Sequence, residues 1–321
     1  MISYTFKTYI ADGREHFIYG ENEIGSFREK KKDFPFPEGL MDILYLDAGE
    51  LEPICHGADR ALWRYYSSKD EKCLDEVLEA LDRLAEKHFY FELLQLDWRY
   101  RIEQEKRRPG NSMETLPHKN ISHIPSNLDT MQRQIKLLFA EVLDVDGEKG
   151  PVSKKLAAHY QRHKDQPLGT FPFEPLPLRF ESIDEEAFSE VLHPTTVYDL
   201  IDYSLRECVK REQRMRVCKN CGRWFAITGR SSAEYCDRPI DSRGRTCKDV
   251  GSIAQWNRKR SDDDVFKAYR REYKKRFAWI KAGKILPEDF YQWSEQARME
   301  KQRCDEGEIT LEEYQEWLSK S

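Results

Sequence analysis

No stretch of the chain approaches the roughly 18–20 consecutive apolar residues that a membrane-spanning helix requires. The opening residues, Met1 to Lys7, also lack the apolar core of a secretory signal. Membrane and exported classes are therefore set aside, and a soluble cytoplasmic protein is expected. A phosphate-cradling glycine-rich loop, a nucleophile elbow and a clustered acid motif are all missing, so no enzyme is expected. Histidine is scarce, eight residues in 321, and none lies between Cys208 and Arg260. His159 and His163 have the i, i+4 spacing of one helix face, but Tyr160 stands where a zincin carries glutamate. They read as a surface pair. Cys55 adjoins His56 in the sequence with no activating partner nearby, and it reads as an unreactive thiol.

What is abundant is charge, at 35% of residues, alongside 12% aromatics, too many for a disordered chain. The net charge of −5 conceals a split. Residues 206–284 hold 23 Lys/Arg against 10 Asp/Glu, a balance of +13 that leaves −18 for the rest. Such asymmetry fits a segment facing a polyanion, DNA or RNA; it fits equally a segment drawn to the acidic remainder of the same chain.

Residues 2–19 alternate polar and apolar around Asp12 and Gly13, which reads as a β-hairpin. From about Ala58 to Lys106 the period becomes helical, with Leu74, Val77, Leu78, Leu81 and Leu84 on one stripe. Residues 107–127 carry three prolines and read as a loop or linker. Asn127 then offers a cap for a helix through Met131, Ile135, Leu138 and Val142, and residues 170–181 read as extended. Another helix, with Leu200, Ile201, Leu205 and Cys208 on its apolar side, leads into the basic segment. Ser261 with Asp262, Asp263 and Asp264 predicts a further helix start. In the tail, residues 283–293 and 307–317 repeat a glycine, an isoleucine, an acid pair and two aromatics three residues apart. They predict two short helices packing their aromatics on the basic helix.

Chemistry concentrates in one array: Cys218, Cys221, Cys236 and Cys247. Four cysteines within 30 residues and four scattered make a poor disulfide framework, whereas four thiolates suit tetrahedral Zn2+. The C-x2-C spacing aims two sulfurs at one ion, Gly222 allows the turn behind them, and Trp224, Phe225 and Tyr235 supply apolar walls. The ten residues between Cys236 and Cys247 are unusually many. A loop there either folds out and lets Cys247 close the site, or leaves the fourth ligand open. Around the array stand Arg223, Arg230, Arg238, Arg243, Arg245, Lys248, Arg258, Lys259 and Arg260, followed by Lys267, Arg270, Arg271, Lys274, Lys275 and Arg276. Cations in this number suit phosphate contacts.

The order of apolar helix, basic approach, C-x2-C-G-x-x-F, aromatic-Cys and a last Cys opening a basic helix resembles bacterial CGNR-type zinc finger proteins. Still closer is an uncharacterised bacterial family whose segments stand here as Arg216 to Arg223, Thr228 to Ser231 and Glu234 to Pro239. The likeness spans about residues 194–283 and departs where Gly-Asn-Arg is replaced by Lys248, Asp249 and Val250. It implies one structural zinc on the four cysteines and a DNA-binding, regulatory role.

A mainly α (α+β) protein is therefore expected. Residues 1–193 form a helical domain with a small β-hairpin, and its acidity allows a protein partner. Residues 194–284 form a treble-clef-like zinc module among basic helices, and 285–321 a helical tail. Nucleic-acid binding is the leading function; a protein–protein adaptor with a purely structural zinc is the alternative.

Overall fold

Asp12 and Gly13 both adopt positive φ, 50° and 70°, and turn the chain between strands β1 (Ser3–Ala11) and β2 (Arg14–Glu23), with Ala11 paired to Arg14. The computed structural model describes the backbone of residues 3–23, 26–27, 29–183, 188–261 and 263–321, and the side chains of all these except 22–23, 26–27 and 256–261. Two strands, β3 (Ser26–Phe27) and β4 (Lys30–Pro35), line the other edge of β2. Helices follow: α1 (Glu38–Ile43), α2 (Ala48–Ser68), α3 (Lys72–Lys87), α4 (Phe91–Arg107), short α5 (Ser112–Thr115) and α6 (Lys119–Ser122), and α7 (Ile124–Leu138). The proline-bearing stretch 107–127 thus contains two helical turns. Helix α7 begins before Asn127, with Pro125 in its first turn, and Asn127 instead donates to the Tyr198 hydroxyl.

A π turn (Phe139–Leu143) continues α7, and α8 (Val152–Arg162) follows. Strands β5 (Leu178–Ser182) and β6 (Phe188–Leu192) then form a second hairpin. It joins the first through Thr8 and Leu192, giving an antiparallel sheet ordered β3-β2-β1-β6-β5 with β4 also on β2. Helix α9 (Val197–Lys210) starts in a capping box between Thr196 and Asp199. A short β7 (Met215–Val217) and β8 (Trp224–Ala226) frame the first two array cysteines, and α10 (Cys247–Ser261), α11 (Asp264–Lys281), α12 (Pro287–Asp305) and α13 (Leu311–Lys320) complete the chain. Asp263, not Ser261, caps α11, accepting from the Phe266 amide. The protein is mainly helical with a small antiparallel sheet, as the periodicities imply. No helix among the described residues is long and apolar enough to cross a membrane.

The chain forms two compact units, Met1–Arg216 with Trp224–Ser231, and Val217–Arg223 with Ser232–Ser321. In the first, Phe6 and Phe17 of the sheet pack with Leu40, Leu62, Leu81, Trp98, Leu138 and Leu205 in one continuous core. Helix α9 belongs to this core through Leu200, Ile201 and Cys208. In the second unit the tail repeat is structural. Phe290 and Tyr314, equivalent residues of the two copies, are both buried, with Trp293, Ala297 and Leu318, against Ala268, Tyr269 and Tyr273 of α11. Thr310 and Glu313 close the capping box their spacing suggests.

Inside the first core lies a buried acid. Glu15 accepts from the Tyr90 hydroxyl at 3.0 Å and from Ser204 at 2.9 Å. Burial pushes its carboxyl from 4.5 up to about 7, the Ser204 and Tyr90 hydroxyls pulling only part of the way back. Nearby His88 is held down at about 4 by burial, with Nε2 on the Gly39 carbonyl. The raised carboxyl contributes stability below about 4.5 that is lost as pH climbs through about 7. The lowered imidazole contributes above about 6.5 and loses that contribution as pH falls through about 4. Glu15→Gln should therefore gain on the parent by about 3 kcal/mol between about pH 5 and pH 8. Denaturant unfolding at both pH values checks this, and an unchanged difference would mean that Glu15 titrates ordinarily.

Candidate metal centre

The knuckle between β7 and β8 is built by backbone bonds. The Cys218 amide donates to the Arg223 carbonyl and the Gly222 amide to the Cys218 carbonyl, both at 2.9 Å. Gly222 takes φ of +71°, where a side chain is strained. This folds Cys218 and Cys221 toward one point. The Lys219 amide donates to the Glu234 carbonyl, which brings Cys236 alongside, and the Cys236 amide reaches Cys218 Sγ at 3.4 Å.

The long gap before Cys247 is closed by a small hairpin. The Ile240 amide donates to the Arg245 carbonyl and the Cys247 amide to the Arg238 carbonyl, with Pro239 bridged to Thr246. Asp241 holds the turn by accepting from the Arg243 and Arg245 amides. The ten residues are thus folded outward, and Cys247 returns to the other three at the first turn of α10. There Thr246 and Asp249 bond reciprocally as a cap.

All four Sγ atoms lie within 4.8 Å of one another, three of them buried. A tetrahedron with metal–sulfur bonds of about 2.3 Å has edges of about 3.8 Å; Cys221 and Cys236 stand 3.7 Å apart. Four cysteine sulfurs at this spacing can hold a metal ion. Asn220 Nδ2 donates to Cys247 Sγ at 3.3 Å, the kind of outer bond that orients a ligand. Burial pushes Cys236 up to about 12, whereas at Cys218 the amides of Cys221, Cys236 and Asn220 outweigh burial and bring the thiol down to about 7. Thiolate is favoured first where most amides converge.

Helix α10 packs tightly on this site. A Cβ placed on Gly251 would come within 2.1 Å of Tyr235 Cδ1, next to Cys236. Gly251→Ala should therefore force the Tyr235 ring from its place and cost about 1–3 kcal/mol. A fall in the metal-loaded protein's melting temperature checks this; an unchanged value would mean that the ring moves freely.

The cations expected around the array are placed less uniformly. Arg223 lies at the end of the knuckle, and Arg243 and Arg245 lie on the hairpin, all exposed. Arg245 pairs with Asp241 at 2.6 Å and Lys248 with Asp237 at 3.3 Å. Arg230 is exposed in the segment counted with the first unit. The side chains of Arg258, Lys259 and Arg260 lie outside the described residues. On α11, Lys267, Arg270, Arg271 and Lys274 recur at i, i+3, i+4 and i+7, one exposed helix face. Lys267 pairs with Asp264, whereas Arg270, Arg271 and Lys274 form no ion pair among the described residues. Arg276 turns inward instead, lying 4.6 Å above the Trp293 ring and donating to the Leu318 carbonyl.

Two other sequence features resolve differently. Cys55 is fully buried, and burial raises its thiol to about 12, so it is inert. His159 and His163 are not a surface pair: His159 is fully buried, and both rings meet Glu141. Spacing revealed the histidines but not the acid, because Glu141 comes from a π turn that has no sequence signature.

Comparison with known proteins gives one match. A family model described as a family of unknown function, DUF6076, matches residues 178–321, just under half of the chain. It covers the whole cysteine array, the basic helix and the tail repeat. It carries no CGNR-type description. No curated protein and no solved structure matches the chain.

Proposed function

We propose that the four cysteines hold one structural Zn2+ and that the unit built on it binds nucleic acid, DNA in view of the CGNR-like residue pattern, in a regulatory role. The observation that carries this reading is the face of α11 bearing Arg270, Arg271 and Lys274, exposed and without ion pairs among the described residues. Cations left open to solvent on one helix face can replace condensed counterions along a phosphate backbone. An all-thiolate set at tetrahedral spacing selects zinc or iron over hard ions such as Mg2+ and Ca2+, and zinc is the usual structural ion of four-cysteine fingers. The array carries no open histidine or carboxylate position, which suits a structural ion rather than a reactive one.

Titration of labelled duplex DNA with the zinc-loaded chain, across about 50–200 mM salt, tests this. Binding that weakens steeply with salt is expected, and no binding at about 50 mM would contradict it. The second reading, a protein–protein adaptor, draws on the local pairing of the array's own cations: Lys219 with Glu234, Arg245 with Asp241 and Lys248 with Asp237. Those pairs favour a site where zinc holds the fold alone. In that case the acidic first unit would be the natural place for a protein partner.

A further inference from the structure

We propose that Glu141, His159 and His163 form a second metal site, for a first-row divalent transition ion, distinct from the four cysteines. Glu141 sits in the π turn Phe139–Leu143, closed by the bond from the Asp144 amide to the Phe139 carbonyl at 2.8 Å. Single π turns inside helices are frequent at functional sites. Here Glu141 is brought over the face of α8 that carries His159 and, one residue past its end, His163. The two rings present different nitrogens to the two carboxylate oxygens: His159 Nδ1 stands 2.9 Å from Oε2, and His163 Nε2 stands 2.9 Å from Oε1. For metal–nitrogen and metal–oxygen bonds of about 2.1 Å, adjacent ligands of an octahedral ion lie about 3.0 Å apart. Both contacts, hydrogen bonds in the absence of an ion, are compatible with that edge, and the three ligand atoms lie within 4.8 Å of one another.

The three groups are withdrawn from water, with side chains 18%, 0% and 11% exposed for Glu141, His159 and His163. His159 is the telling member. Among the described residues its Nε2 has no hydrogen-bond partner, so the contact of Nδ1 with Glu141 is the ring's one polar engagement. Arg162 also bonds Oε2, at 2.8 Å, but its half-exposed guanidinium can withdraw to solvent when a cation enters. Two imidazoles and one carboxylate select against Mg2+ and Ca2+ and suit Zn2+, Fe2+, Mn2+ or Co2+, with the remaining coordination positions left to water. The cysteine array shares no residue with this site.

The test uses the full chain, reduced and stripped by a chelator, then titrated with Co2+ while bound cobalt and the absorption spectrum are followed together. Two equivalents per chain are expected, of which one gives thiolate-to-cobalt charge transfer and the other only weak bands. Glu141→Gln should lose the second equivalent and leave the thiolate band unchanged. His163→Ala, at the most accessible ring, repeats the test should the first variant fold poorly. Conversely, Cys218→Ser with Cys221→Ser should keep the equivalent without thiolate bands, so the two sites fail or succeed separately. A folded parent that binds no cobalt beyond the thiolate equivalent would overturn the proposal, as would a second equivalent that persists in both Glu141→Gln and His163→Ala.

Discussion

Serine at both Cys218 and Cys221 is expected to remove the metal from the cysteine array and unfold the segment it organises, Val217–Arg223 and residues 232–261. Serine hydroxyls stay protonated and bind zinc poorly, so half of the ligand set is lost at once. Structural zinc contributes about 10–16 kcal/mol of apparent binding energy in small fingers, comparable with the whole stability of an ordinary domain, about 5–15 kcal/mol. Among the described residues, little apolar packing holds this segment. Its buried positions among those residues are Cys218, Cys236, Cys247 and Gly251, and α10 exposes Ile253 to solvent. The tail cluster of Phe290, Trp293 and Tyr314 has its own apolar packing and should persist. Limited proteolysis with mass mapping reads the outcome: new cleavage within 217–223 and 232–261, and an intact first unit. A double variant as resistant as its parent would show that the segment folds without the ion.

Charge reversal on α11 is expected to have the next largest effect. Arg270, Arg271 and Lys274 lie on the exposed face, away from Tyr269 and Tyr273, which pack with the tail helices. Changing all three to glutamate therefore leaves the apolar contacts of α11 in place. Three phosphate contacts contribute about −0.9 each to the slope of affinity against salt, so the slope should flatten by about 3. At about 50 mM salt the loss of binding should be on the order of 100-fold or more. Circular dichroism should stay unchanged, because these side chains form no ion pairs among the described residues whose loss would loosen the fold. Unaltered DNA affinity in the triple variant would move the binding face off α11, and with it the central support for a nucleic-acid function.

Much of this was legible from residue order alone where the determinants are local. The Asp12–Gly13 turn, the stripe of α3, the capping box of α13 and the aromatic pairs of the tail repeat each need only a few neighbouring residues. The cysteine array was legible because metal ligands declare themselves by type and spacing. Long-range pairing was not: Thr8 meets Leu192 across most of the chain, and no local signal joins the two hairpins. The return of Cys247 was equally hidden, since it depends on amide–carbonyl bonds inside residues 238–247 and on Asp241, an ordinary-looking acid. His159 shows the same limit most clearly. Its helical spacing with His163 was visible, yet burial and the approach of Glu141 arise only once the π turn and α8 pack together. Basic residues were countable, but whether each faced solvent or its own acid depended on the fold.

The most direct test of the zinc-centred reading is titration of the purified, reduced chain with an organomercurial while released zinc is followed by a chromogenic chelator. Blocking the four thiolates of Cys218, Cys221, Cys236 and Cys247 should release one zinc per chain, and the release should be complete when those four have reacted. Mercurial modification that releases no zinc, or zinc that remains bound after all four have reacted, would contradict a four-cysteine zinc centre.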